Sequence, residues 1–335
     1  MTAGGQRGFV RVLALISLAV LAAVGFVGFE GYNRLHADGP HAEERVLWVQ
    51  RGDTLGRLRT KLVDRGVVDE ANSDLFYYYG RASGLGEELR SGEFVIPPGA
   101  SIIDVATVLR EGDPLLRFVT IPEGRTVDQA VAILDEAPML EGMVSVRPKE
   151  GDLLPETYAY ERGEGRDDVL RRMVEAHNAL LEELWPQRAD DLPFSTQAEA
   201  VILASIVEKE TAVPDERPRV AAVFVNRLRK RMRLQSDPTI IYGLTGGEPL
   251  GRGIRVSELN DMDNPYNTYR INGLPPTPIA NPGRASIAAV LNPAQTDDLY
   301  FVADGTGGHV FASTLREHNR NVARWREIER AQRDR

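Results

Sequence analysis

Apolar and polar positions alternate in short stretches three times along the first half of the chain, and each stretch leads into a helical period. Residues 46–53 read V-L-W-V-Q-R-G-D, followed by Thr54 and a helical run with Leu55, Leu58 and Leu62. Residues 93–99 read E-F-V-I-P-P-G, followed by Ser101 and a run with Ile102, Val105 and Leu109. Residues 118–124 read F-V-T-I-P-E-G, followed by Thr126 and a run with Val127, Val131 and Leu134. Each unit predicts a strand, a glycine turn, a Ser or Thr cap and an amphipathic helix. The unequal intervals exclude a solenoid.

In the second half the period is helical. Residues 167–185 carry Val169, Leu170, Met173, Leu180, Leu181 and Leu184 on one face. Thr196 and Glu199 fit a capping box ahead of residues 200–207, which are nearly all apolar and predict a helix buried on most sides. Pro214 cannot continue that helix, so its last turn holds Glu208, Lys209 and Glu210. A second helix is expected over 218–232, and a hairpin over 299–312 with G-T-G-G at its turn.

Residues 12–29 form an uncharged apolar run of 18. At helical rise it spans about 27 Å, enough to cross a bilayer core. Arg7 and Arg11 precede it and Glu30 follows, so the positive-inside rule puts residues 1–11 in the cytoplasm and the bulk outside. A cleaved signal peptide is the competing reading, against which Ala-x-Ala-like sites are poor and the run is long. Residues 31–45 read as a linker. A net charge of −9 argues against nucleic acid as the main partner. The basic end of the second helix, Arg227 to Arg233, is read as complementing the helix dipole. There are no cysteines, which excludes disulfides and thiolate metal sites.

Two carboxylates at a helix C-terminus are disfavoured when ionised, and apolar surroundings push them the same way, towards the protonated form a general acid requires. Glu208 and Glu210 point to nearly opposite sides of the helix. Glu210 follows Ile206 and Leu203 and leans towards the acid role, while Glu208 follows Ala204 and Ser205. Two solvated residues at a fraying helix end remain the plain alternative. For Lys209, a solvated amine fits better than a Schiff base. The segment 150–160, E-G-D-L-L-P-E-T-Y-A-Y, reads as an ordered loop whose Glu156 and Tyr158 suit a groove. Loops after the second helix are rich in amides and rings, with Gln235, Asp237 and Tyr242, then Asn267 and Tyr269 in N-P-Y-N-T-Y. That chemistry suits hydroxyl- and amide-bearing ligands such as sugars, or plain surface loops. His309 is either a ligand or a strand residue, His318 is expected on the surface, and no metal or cofactor is assigned.

The first unit, with G-D-T-L after its strand, resembles a LysM module, a fold that binds N-acetylglucosamine-containing glycans; a plain structural β-turn-α unit is the alternative. Phe76 to Tyr79, F-Y-Y-Y, is either a sugar-stacking surface or half core and half surface. A longer resemblance rests on A-S-I-V-E-K-E-T-A-V, V-F-V-N-R-L, M-R-L-Q-S-D-P-T-I-I-Y-G, Y-N-T-Y, G-L-P-P-T-P-I-A-N-P-G and Y-F-V-A-D-G-T-G-G-H-V-F. Over about residues 46–325 the chain resembles the endolytic murein transglycosylases of the MltG or YceG-like type.

The resemblance implies an α+β protein. Its parts are a transmembrane helix over 12–30, a small LysM-like module over 46–115, and a mixed α/β catalytic domain over 116–335 built on a buried catalytic helix. It places the catalytic glutamate on Glu210. It implies substrate contacts from Glu156, Tyr158, Glu208, Asn226, Gln235, Asp237, Tyr242, Asn267 and Tyr269. The reaction would cleave the β-1,4 bond between N-acetylmuramic acid and N-acetylglucosamine in nascent peptidoglycan, leaving 1,6-anhydro ends. The expected setting is the periplasmic face of the bacterial inner membrane, with peptidoglycan synthases as candidate partners. Two other readings stay open: a non-catalytic glycan-binding membrane protein, and a water-using muramidase with Glu208 or Asp237 as second carboxylate.

Overall fold

The computed structural model describes residues 3–333, and side chains for residues 11–331. Of the expected cytoplasmic segment, residues 1 and 2 and the Arg7 side chain lie outside the described residues. The chain divides into two compact units. One runs to Arg117 and includes Glu161–Gly163; the other holds Phe118–Tyr160 and the chain from Glu164 onward.

The first unit begins with α1 (Ala3–His36). Among the described residues α1 is the one helix long and apolar enough to cross a membrane. Leu15, Leu18, Leu21, Phe26 and Phe29 stand exposed along it, uncovered by protein. The helix runs on to His36 rather than breaking at residue 31, because its last turn rests on the unit's core through Leu35.

In that unit β1 (Arg45–Val49) pairs antiparallel with β2 (Gly92–Ile96), with Leu47 opposite Phe94. Helices α2 (Leu55–Asp64), α3 (Glu70–Ala82), α4 (Leu85–Glu88) and α5 (Ile102–Glu111) complete it. Leu58, Leu62, Phe76, Leu85, Phe94 and Leu109 are fully buried between them. Thr54 caps α2 and Ser101 caps α5, the latter in a reciprocal box with Asp104. Gly52 takes φ +83° in the β1–α2 turn, and the buried Asp53 carboxylate accepts from Gln50 N and Lys61 Nζ. Within F-Y-Y-Y, Phe76 is core, Tyr78 is exposed, and Tyr77 and Tyr79 pack on the core's rim.

The second unit is α+β, with two separate two-stranded sheets. Strands β3 (Arg117–Thr120) and β4 (Thr157–Tyr160) pair, and α6 (Val127–Glu136) and α7 (Arg166–Leu184) close a core around Ile121, Leu134, Leu153, Tyr160 and Met173. A second core joins α8 (Gln197–Glu210), α9 (Arg217–Arg229) and α12 (Arg284–Leu291) through Leu203, Ile206, Val220, Phe224 and Ile287. Thr196 and Glu199 form the capping box of α8, whose residues 200–207 are all buried. Short helices α10 (Asp237–Thr245) and α11 (Val256–Leu259) lie in the loop region. The hairpin of β5 (Tyr300–Ala303) and β6 (His309–Ala312) precedes α13 (Leu315–Arg333). Its turn is held by Asp304, which accepts from Thr306 N and Gly308 N.

Candidate active site

Helix α8 ends at Glu210 because Thr211 turns extended, at φ −139°, ahead of Pro214. Its last residue therefore opens into a cleft of about 560 Å³. Gln235, Asp237 and Tyr269 line one part of that cleft, and Tyr300, His318 and Asn319 another. Glu210 Oε1 accepts from Ser236 Oγ at 2.5 Å. Burial pushes the Glu210 carboxyl up to about 7; Asp237 pushes the same way, while the Ser236 bond, His309 and Arg227 oppose it. A carboxyl that holds its proton near neutrality and faces a cleft has the makings of a general acid.

The surroundings of Glu210 come from distant parts of the chain. Tyr269 OH donates to Asp237 Oδ1 at 2.7 Å, and burial followed by that bond drives the phenol well above its ordinary value. Gln235 takes a left-handed φ of +54°, a conformation that strains a residue with a side chain, and its backbone N–H donates to Thr268 O. Arg227, read from sequence only as a helix-end cation complementing the dipole, is buried. Its Nε donates to Leu299 O at 2.6 Å and its Nη1 to Leu234 O at 2.7 Å, bracing the hairpin and the 234–237 loop against α9. His318, expected on the surface, stacks on Tyr300 with ring centroids 5.0 Å apart. His309 is a strand residue whose backbone N and Nδ1 each lie 2.7 Å from Glu216 oxygens. Among the described residues no cluster of His, Asp and Glu could hold a metal ion.

Gln235, Asp237 and Tyr269 are thus gathered with Glu210, and other expected contacts are not. Glu208 is turned into protein, where Oε2 accepts from Gly283 N at 2.9 Å and Oε1 from Arg217 at 3.4 Å. That carboxylate closes the N-terminus of α12, a favourable place for negative charge. Asn267 is fully buried instead of facing a groove: its Nδ2 reaches the carbonyls of Glu258, Leu259 and Asp261, and its Oδ1 accepts from Tyr269 N. Asn226 donates to Thr296 O and Asp298 O and so ties α9 to the strand-leading loop. Tyr158 packs on the β3–β4 core and donates to Leu154 O; burial pushes its phenol to about 12. Tyr242 packs edge-on to Tyr266 and donates to Glu150, away from the residues lining the cleft. Glu156 is exposed outside the cleft lining. Lys209 donates to Gly124 O. Sequence reasoning misses Ser236, Arg227, Tyr300 and Asn319 as site residues; Ser236, inside L-Q-S-D-P, and Arg227, beside Asn226, stand next to residues it marks.

Comparison with known proteins bears on most of the chain. The model of the YceG-like family matches residues 47–324. A protein of Bacillus subtilis (strain 168) named endolytic murein transglycosylase is 37% identical over 305 residues, covering 81% of this chain and 82% of that protein. The endolytic murein transglycosylase of Streptococcus pneumoniae (strain D39 / NCTC 7466) is 29% identical over 324 residues, covering 82% of this chain. The chain spans 57% of that streptococcal protein's length. A crystal structure of a yceG-like protein from Listeria monocytogenes aligns at a TM-score of 0.49 and 29% identity, over 83% of this chain and 99% of that one. With most of its length matched by the family model and by a relative of 37% identity, the chain belongs to the YceG-like family.

Proposed function

We propose that the chain is a membrane-anchored endolytic murein transglycosylase with Glu210 as its acid–base catalyst. The observation that carries this reading is Glu210 itself, a carboxyl at the end of a buried helix, opening into a cleft, with its proton held to about 7. The names of the Bacillus and Streptococcus relatives support the reaction class. Glu210 protonates the glycosidic oxygen as the bond from muramic C1 to that oxygen breaks. The ionised Glu210 then takes the proton of the same sugar's C6 hydroxyl as O6 bonds to C1. The product is a 1,6-anhydro ring and a free 4-hydroxyl, with no water consumed and no cofactor required. One carboxyl serves both steps, whereas glycoside hydrolysis usually requires two at a set separation. Gln235, Asp237 and Tyr269 orient the sugar, and orientation contributes much of the rate.

On this reading α1 is a single-pass anchor in the cytoplasmic membrane, with the units beyond it outside. The first unit acts as a LysM-like glycan-binding module; its cleft between residues 49–53 and 89–91 is the candidate surface. Glycan strands are the substrate, and the synthases that make them are candidate partners.

Asp237 lines the same cleft, which gives a water-using muramidase a second carboxylate. Incubating the full chain with peptidoglycan and weighing the products tests both readings. Anhydro ends, one water lighter than reducing ends, are expected. Reducing ends would assign the muramidase, and intact strands would leave a binding protein.

A further inference from the structure

Ser236 is the N-cap residue of α10, yet its hydroxyl makes no cap bond. N-cap serines normally accept from an N–H one turn ahead. Here Pro238 removes one such donor and the hydroxyl turns the other way, to Glu210 Oε1 at 2.5 Å. Ser236 is 1% exposed and held on both backbone sides. Its N–H donates to Thr268 Oγ1 at 2.9 Å, and its carbonyl accepts from Thr239 Oγ1 at 2.7 Å. Thr239 and Thr268, both fully buried, bond to each other at 2.9 Å. This knot leaves the Ser236 hydroxyl proton one recorded acceptor, Glu210 Oε1. A carboxyl proton on Oε1 would strand that buried hydroxyl proton without an acceptor, an unfavourable state. The proton of neutral Glu210 is therefore confined to Oε2.

We propose that Ser236 is a positioning residue for Glu210: by occupying Oε1 it confines the transferable proton to Oε2, the oxygen of this cleft-lining residue that Ser236 leaves unbonded. This rests on the assignment of Glu210 as the acid. It predicts that Ser236 governs both the direction in which the proton is delivered and the pH at which it is lost. The other charged or titratable groups around Glu210 are Asp237 on α10, Arg227 on α9, His309 on β6 and Tyr269 on its loop, with Tyr300 on β5 and His318 on α13 lining the same cleft.

The test compares the full-length wild type with S236A, S236T and E210Q in detergent. Turnover of purified peptidoglycan is followed against pH, and the Glu210 carboxyl is titrated by ¹³C NMR, taking E210Q as the blank. In S236A the turnover number should fall by about 10-fold or more. The NMR titration and the alkaline limb of turnover should both move up by about one pH unit, because a donor to the ionised form has been lost. S236T, which keeps the hydroxyl, should restore the wild-type values. An unmoved Glu210 titration in S236A overturns the proposal even if activity drops, since a purely structural role would lower activity without moving it. Should S236A not fold, S236T with a shifted titration overturns the proposal and S236T with the wild-type titration upholds it. An active E210Q would instead overturn the acid assignment, whatever the titration shows.

Discussion

Glu208 and Glu210 leave the same helical turn and meet opposite surroundings. Glu208 is bonded through both oxygens, to Gly283 N and Arg217, whereas Glu210 is bonded through one, to Ser236. Two residues along a helix turn the side chain by about 200°, so one carboxyl packs against α12 while the other meets the cleft. On the proposed reading, the pair divides into a structural carboxylate and a proton-carrying acid.

Glu210→Gln keeps the shape but cannot deliver a proton, so turnover should fall by about 10² or more. The folded carboxyl titrates at about 7, above its ordinary value, so the folded state binds the extra proton between the two. Stability contributed by that proton is present at acid pH and is lost as pH rises through about 7. Thermal melting at pH 5 and pH 8 should show Glu210→Gln gaining on the wild type at the higher pH.

Glu208→Gln should behave differently. A neutral amide still occupies the site but loses the charge at the start of α12 and the pairing with Arg217, so stability should fall by about 1–3 kcal/mol. Urea unfolding measures it. Activity per folded molecule should exceed that of Glu210→Gln; the reverse order would exchange the two roles.

Asn267→Ala should destabilise by about 1–3 kcal/mol, because three carbonyls lose a buried donor. Tyr269→Phe removes only the hydroxyl that meets Asp237 and should lower turnover with little change in melting. A matched loss of stability in both variants would make Tyr269 a packing residue.

In the first unit, Glu93 is buried between Arg117 and Arg162. Burial alone would raise its carboxyl, but the bonds from Arg162 and Arg117 outweigh burial and hold it below the ordinary value. Its contribution to stability is present above the ordinary carboxylate range and is lost as pH falls through the folded value. Glu93→Ala should cost about 1–3 kcal/mol at neutral pH, since two partly exposed cations lose their charge-assisted bonds. Urea unfolding at pH 7 and pH 3.5 should show the gap to wild type narrowing in acid.

Cutting after His36 should release the chain from detergent micelles into buffer as a folded protein. A cut at residue 31 leaves the last turn of α1, including Leu35, on the core. Partition of the shorter protein with membranes in high salt would show a second attachment.

What the sequence determined by itself is what a few neighbouring residues can decide. Thr54, Ser101, Thr126 and Thr196 cap the helices expected to follow them, because a cap bond spans three residues. The apolar 200–207 run made a buried helix, and Pro214 confined the acids to its last turn. The hairpin followed from its glycine turn. Family resemblance carried the function further than any of these local rules, since long ordered motifs specify more than a helix end does.

The tertiary structure decided which polar groups face the cleft. Asn267 and Asn226 had the composition of sugar-binding groups, but both spend their amides on backbone carbonyls. Arg227 had the place of a helix-end cation and became an internal brace across 72 residues to Leu299. Ser236 meets Glu210 across 26 residues, and Glu208 meets Gly283 across 75. Such partners are chosen by how helices and loops pack, and local hydrophobic period carries no information about them. Periodicity can say that a side chain is polar and roughly which way it leaves its helix; only the packed neighbour decides whether it meets solvent, substrate or a carbonyl.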